Sequence, residues 1–201
     1  MKKLLLPLAV LALLSFTVTD NNLTREERNT ASKSLKETQE RVTSTIKGLS
    51  TAQLNFKPTP ESWSVAECLE HITISEYSIF EMLQGTLQSE ADPSRRGEVT
   101  LSDEQLIVVV TDRSNKVKTQ EPFEPTGKYG SVEETLESFL TKRKSNIRFV
   151  MNTQDDLRNR YQQFPFGLAD SYQILLLISA HTERHVAQME EVMSHDTFPK
   201  E

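Results

Sequence analysis

Leu175-Leu-Leu-Ile-Ser-Ala-His181-Thr-Glu-Arg-His185-Val-Ala-Gln188-Met-Glu-Glu-Val192 carries the clearest pattern in the sequence. It reads as one amphipathic helix. Ile174, Ile178, His181, His185, Gln188 and Val192 share one stripe at spacings of three and four. A stripe facing a core should be apolar, yet three of its positions are imidazole, imidazole and amide. Two His at i and i+4 lie one above the other on a helix face. That spacing offers two nitrogens to one metal ion.

Upstream, three more long helices announce themselves by capping boxes. Thr24-Arg-Glu-Glu27 opens the first, whose stripe is Ala31, Leu35, Thr38, Val42, Ile46 and Leu49. Ser64-Val-Ala-Glu67 opens the second, which runs to about Gln88 and carries His71 where the pattern would accept a core residue. Ser131-Val-Glu-Glu134 opens the third, which runs to about Asn152. Asp170 or Ser171 caps the fourth. The connector holding Pro58 and Pro60 excludes helix, and its Phe56 and Trp63 carry enough apolar area to pack down onto the bundle. Gln154 to Ala169 reads as a loop with an aromatic turn, Phe164-Pro-Phe-Gly-Leu168. Residues 89–130 form the longest irregular stretch, with a short helix, or conceivably a strand, from Ser102 to about Val110. A link of that length can run the length of a bundle. The expected fold is therefore all-α: a four-helix bundle with parallel middle helices and a long crossover between helices 2 and 3.

The N-terminus is read apart from the fold. Met1-Lys2-Lys3 followed by the apolar run Leu4 to Phe16 is a signal-peptide layout, too short for a comfortable membrane span. The expected division is residues 1–19 as signal peptide and 20–201 as the bundle domain. The protein is then exported, periplasmic or secreted, with no membrane association after cleavage. Losing Lys2 and Lys3 leaves 21 basic side chains against 29 acidic ones, a net charge of −8. That charge argues against nucleic acid as a partner. Lys142-Arg143-Lys144 is the one basic cluster and reads as a solvated face or salt-bridge set. The single cysteine, Cys68, excludes an internal disulfide and reads as a small buried hydrophobe.

Two readings of the histidines stay open on pattern alone. One is a divalent ion held by His181, His185 and a third imidazole, His71, from a neighbouring helix. The other is three core histidines satisfied by hydrogen bonds. A zincin is excluded, because Thr182 stands where its glutamate would be. Gly-rich phosphate loops, Cys-x-x-Cys pairs and Gly-x-Ser-x-Gly elbows are absent from the sequence. His195, in a polar tail, reads as a surface residue.

Trp63-Ser-Val-Ala-Glu67-Cys-Leu-Glu-His71-Ile resembles the Trp-Ser-x-x-Glu-x-x-x-His opening of helix 2 in the DinB/YfiT-like superfamily. Phe164-Pro-Phe-Gly-Leu168 with Ala180-His181-Thr-Glu-Arg-His185-Val-Ala-Gln188 resembles that family's turn and final helix. Ser131 and Arg143 also stand where the family places similar residues. The resemblance implies one metal ion, nickel or zinc, held by His71, His181 and His185. It implies a metal-dependent hydrolase, with thiol-dependent S-transfer or isomerisation, or a non-catalytic metal-binding bundle, as alternatives. Glu67 is the candidate general base or orienter of His71, with helix capping as its competing role. Trp63 and Gln188 are candidate pocket residues for a small-molecule substrate. Homodimerisation is conceivable. The sequence departs from the family at Phe164, where a His often begins the turn.

Overall fold

A computed structural model describes residues 22–114 and 118–200. The proposed signal peptide therefore lies outside the described residues. Among the described residues, each of the six α-helices begins on a capping box. They are α1 (Arg25–Ile46), α2 (Thr51–Leu54), α3 (Val65–Thr86), α4 (Asp103–Thr111), α5 (Val132–Asn152) and α6 (Ser171–Met193). The expected caps at Thr24, Ser64 and Ser131 each accept the backbone N–H three residues on, at 3.1, 3.2 and 3.2 Å. Asp170 rather than Ser171 caps α6. Replacing such a cap by alanine costs about 1 kcal/mol, so these residues set where each helix begins. The Ser102 segment is helix, not strand: its own capping box outweighs the β-branched run that follows. None of the helices is long and apolar enough to cross a membrane, among the described residues.

Contacts fix the direction of each helix. Thr73 meets Thr135, Tyr77 meets Ser138 and Phe80 meets Phe149, so α3 and α5 run parallel. Tyr172 meets Glu27, Ser179 meets Ser34 and Glu190 meets Arg41, so α6 runs parallel to α1. Thr86 meets Ser171 while His71 meets His181, so α3 and α6 are antiparallel. The parallel middle helices require a return path, and residues 87–131 provide it. That crossover holds 3-10 turns at Pro93–Glu98 and Glu121–Phe123, and α4, which packs on α6.

The segment between α5 and α6 differs from the expected loop. It forms a hairpin, β1 (Tyr161–Phe164) and β2 (Gly167–Asp170), paired antiparallel with Tyr161 opposite Asp170 and Phe164 opposite Gly167. Four-residue strands containing Gln162 and Gln163 are too short and too polar to show a period of two. Phe164 and Phe166 stack at 5.0 Å and pack against the apolar cluster built from Leu35, Leu83, Tyr172 and Leu175.

A second apolar cluster, including Val65, Leu69, Phe139, Val186 and Met189, fills another part of the bundle. It also receives Phe56 and Trp63, as their apolar area predicts. Cys68 is buried there, and burial pushes its thiol up to about 12, which makes it a packing residue. The basic triplet splits. Lys144 is exposed, Lys142 lies over the Phe80 ring at 4.1 Å, and Arg143 is wholly buried. Arg143 spends all five N–H groups on Glu76, the Leu35 carbonyl and the hydroxyls of Thr38 and Thr182. Asn146 donates to the same Glu76 carboxylate. This layer ties α1, α3, α5 and α6 at one level. It is the salt-bridge set of the sequence reading, moved from the surface into the core.

Candidate metal centre

α3 and α6 run side by side, and their facing stripes bring His71, His181 and His185 together. Each offers one ring nitrogen, and the three lie within 4.8 Å of one another. The rings pack at centroid distances of 4.3 to 5.0 Å. His71 and His185 are buried and His181 is partly exposed.

Hydrogen bonds fix two of the three tautomers. The Nδ1–H of His71 donates to the Phe123 carbonyl at 2.7 Å, because a carbonyl can only accept. The neutral ring then keeps a bare lone pair on Nε2. The Nδ1 of His185 lies 2.9 Å from Gln188 Oε1. Arg113 approaches that same oxygen at 3.4 Å. Arginine has no acceptor, so the amide atom between them is the oxygen, and His185 donates. His185 also keeps its lone pair on Nε2. Glu191 in turn holds Arg113 through two bonds of 2.7 and 2.6 Å. The Nε2 atoms of His71 and His181 face each other at 3.3 Å.

Electrostatics keep the three rings neutral. Burial lowers the His71 imidazole from its ordinary range, against the Phe123 bond that favours charge. Burial, then the neighbouring His71 and Arg184, lowers His181 to about 3. Burial, then His181 and His71, holds His185 well below the usual histidine range. Neutral imidazoles with outward N–H bonds and inward lone pairs are the form a divalent ion requires. The donor set therefore fits a metal on its own chemistry.

The other sequence candidates fall as follows. Trp63 lies over His71 at 4.7 Å and His185 at 6.0 Å between ring centroids, forming one wall beside the cluster. Gln188 is in place but works behind His185 as its orienting acceptor, besides lining the cleft. Glu67 is committed elsewhere. Its carboxylate accepts the Ser64 N–H at 2.8 Å and pairs with Lys57 at 3.0 Å, so the capping role holds and it is not among the clustered ligand atoms. His195 is exposed, at the rim of the cleft. Glu183 points away into an ion pair with Arg41. Sequence reasoning missed Phe123 and Arg113. Both lie in the crossover, and no local pattern signals a partner 52 or 75 residues away.

A cleft of about 680 Å³ opens onto His185 between Trp63, Arg113, Arg184, Lys118 and Glu124. That size suits a small molecule.

A helical bundle with parallel middle helices thus brings three imidazoles together, and comparison with known proteins assigns the chain to a family. The family model of the DinB superfamily matches residues 34–189, and the chain belongs to that superfamily. Among its relatives is the uncharacterized protein YuaE of Bacillus subtilis, 26% identical over 148 residues, which span 73% of this chain and 87% of YuaE. The fold is similar to that of YfiT from Bacillus subtilis, at a TM-score of 0.58 and 14% identity over 85% of this chain and 88% of that one. YfiT is described as a probable metal-dependent hydrolase with an unusual four-helix bundle topology.

Proposed function

We propose that His71, His181 and His185 hold one divalent ion, zinc or nickel, and that the chain is an exported hydrolase acting on a small molecule in the adjoining cleft. One observation supports the metal site: ring nitrogens of three imidazoles from two helices converge within 4.8 Å, two with their tautomers set so that Nε2 carries the free lone pair; export rests on the N-terminal sequence layout alone. Nitrogen donors suit zinc and nickel. When bound, such an ion polarises a carbonyl or phosphoryl oxygen and acidifies water.

The chain's own residues do the rest. Phe123 and Gln188 hold the donor atoms in place, and Trp63 shields two of the rings from water. The cleft admits substrate beside His185. With Glu67 committed to its cap and Glu191 engaged by Arg113, Glu61 and Glu124 are the cleft carboxylates left to test as a general base. The description of YfiT supports the hydrolase class by likeness of fold.

The test is a panel of esters, amides and phosphoesters offered to the zinc- and nickel-loaded chain, with a chelator and His181→Ala as controls. Hydrolysis abolished by both controls is the expected result. Turnover that requires an added low-molecular-weight thiol would move the assignment to S-transfer. A loaded protein inert to every substrate would leave a metal-binding bundle without catalysis.

A further inference from the structure

Residues 118–130 form a strap that crosses the bundle on its way to α5. It contributes Lys118, Thr119 and Glu124 to the cleft. It also contributes the carbonyl of Phe123 that fixes His71. Yet every residue of the strap is exposed or only half-buried. Apolar packing gives little to hold it in place, so polar contacts must do so.

The anchor is Glu70. This carboxylate sits on α3, one residue before His71, and is only 8% exposed. It accepts three successive backbone N–H groups of the strap: Thr126 at 3.2 Å, Gly127 at 2.9 Å and Lys128 at 2.9 Å. Gly127, at φ +77°, turns these groups to one side and makes a concave anion nest. Backbone dipoles of the strap thus point directly at its carboxylate. Two consecutive residues of α3 thus grip the strap at points three residues apart.

We infer that Glu70 is a positioning residue for the three-His centre: it clamps the strap so that the Phe123 carbonyl holds His71 in the Nδ1–H tautomer. Without that acceptor a neutral imidazole can carry its proton on Nε2, and the lone pair facing His181 is lost. The same clamp sets the strap side of the cleft. Binding free energies are reciprocal, so an ion that draws on Nε2 tightens the Nδ1–H bond and with it the strap. The metal consequence rests on the metal assignment above, whereas the tautomer is a property of the metal-free chain.

The experiment compares wild type with Glu70→Gln, which turns an amide N–H toward the nest. It adds Gly127→Val, which puts a β-branched residue at a positive φ and leaves α3 untouched if the first variant folds poorly. Nitrogen-15 NMR of the His71 ring in the metal-free chain should show the Nδ1–H tautomer in wild type and a mixture in both variants. Zinc titration should show affinity falling about 10- to 100-fold, the usual loss on removing an outer partner of a metal-ligating His. Zinc should slow amide exchange at residues 126–128 in wild type and do so less in the variants. An unchanged His71 tautomer, with zinc affinity within twofold of wild type in both variants, would overturn the clamp. If the wild type takes up no zinc, the metal assignment falls and the tautomer measurement alone decides the role of Glu70.

Discussion

Two polar clusters lie in the same bundle, adjoining at Thr182 and His181, and they are built on opposite principles. Around Arg143 and Glu76 each charge meets its complement: five N–H donors find acceptors, and both carboxylate oxygens are used. Of that network's atoms, Asn146 Oδ1 lacks a hydrogen-bond partner. Two of the three histidines instead send their outer N–H groups away, His71 to Phe123 and His185 to Gln188, and keep their Nε2 lone pairs for the space they share with His181. Burial of polar groups does not separate structure from function here. The direction in which their hydrogen-bonding capacity is left over does.

Arg143 holds the first cluster together. Arg143→Met strands a buried Glu76 and should cost about 3–5 kcal/mol of stability in urea unfolding, while Glu76→Leu with Arg143→Met should recover most of that loss. The double variant should still respond to zinc. If it does not, the two clusters are one functional unit.

Zinc response gives the next largest effect. At a hundredfold excess over its Kd, an ion bound only by the native state stabilises it by about 2.7 kcal/mol. Wild type should show that gain in thermal unfolding, and His181→Ala should not. Behind the ligands, Gln188→Leu removes the acceptor of His185 and should weaken zinc binding about tenfold, the lower end for an outer partner. Equal binding by that variant would place Gln188 with the substrate alone.

Acid tests the neutrality of the rings without any metal. Folded imidazoles held below their ordinary pKa bind fewer protons than the unfolded chain once pH falls below about 6.5. The metal-free protein should therefore lose stability as pH falls from 7 to 5. The slope should be shallower in His181→Ala, whose missing ring no longer resists protonation. Identical slopes would mean the rings are not held neutral.

Much of this was legible in the sequence because it was local. Capping boxes at Thr24, Ser64 and Ser131, and the i, i+4 pair on α6, are written within a few residues. The placement of His71 followed from the periodicity of α3 and from the family resemblance. What stayed hidden depends on contacts far apart along the chain. Arg143 looks like part of a charged face until Glu76, 67 residues away, is placed against it. Glu70 looks like one more helical carboxylate until the strap returns to it. Glu67 carried two meanings at once, and only its bonds to Ser64 and Lys57 show the cap in use. The hairpin was missed because its strands are shorter than any period they could display.

Whether three histidines make one metal site is decided by counting ions. Metal-free wild type and the variants His71→Ala, His181→Ala and His185→Ala would each be titrated with zinc and nickel by calorimetry. Wild type should bind one ion per chain, and none of the three variants should bind stoichiometrically. A wild type that binds no ion, or a His181→Ala chain that still binds one with wild-type affinity, would contradict a three-histidine site.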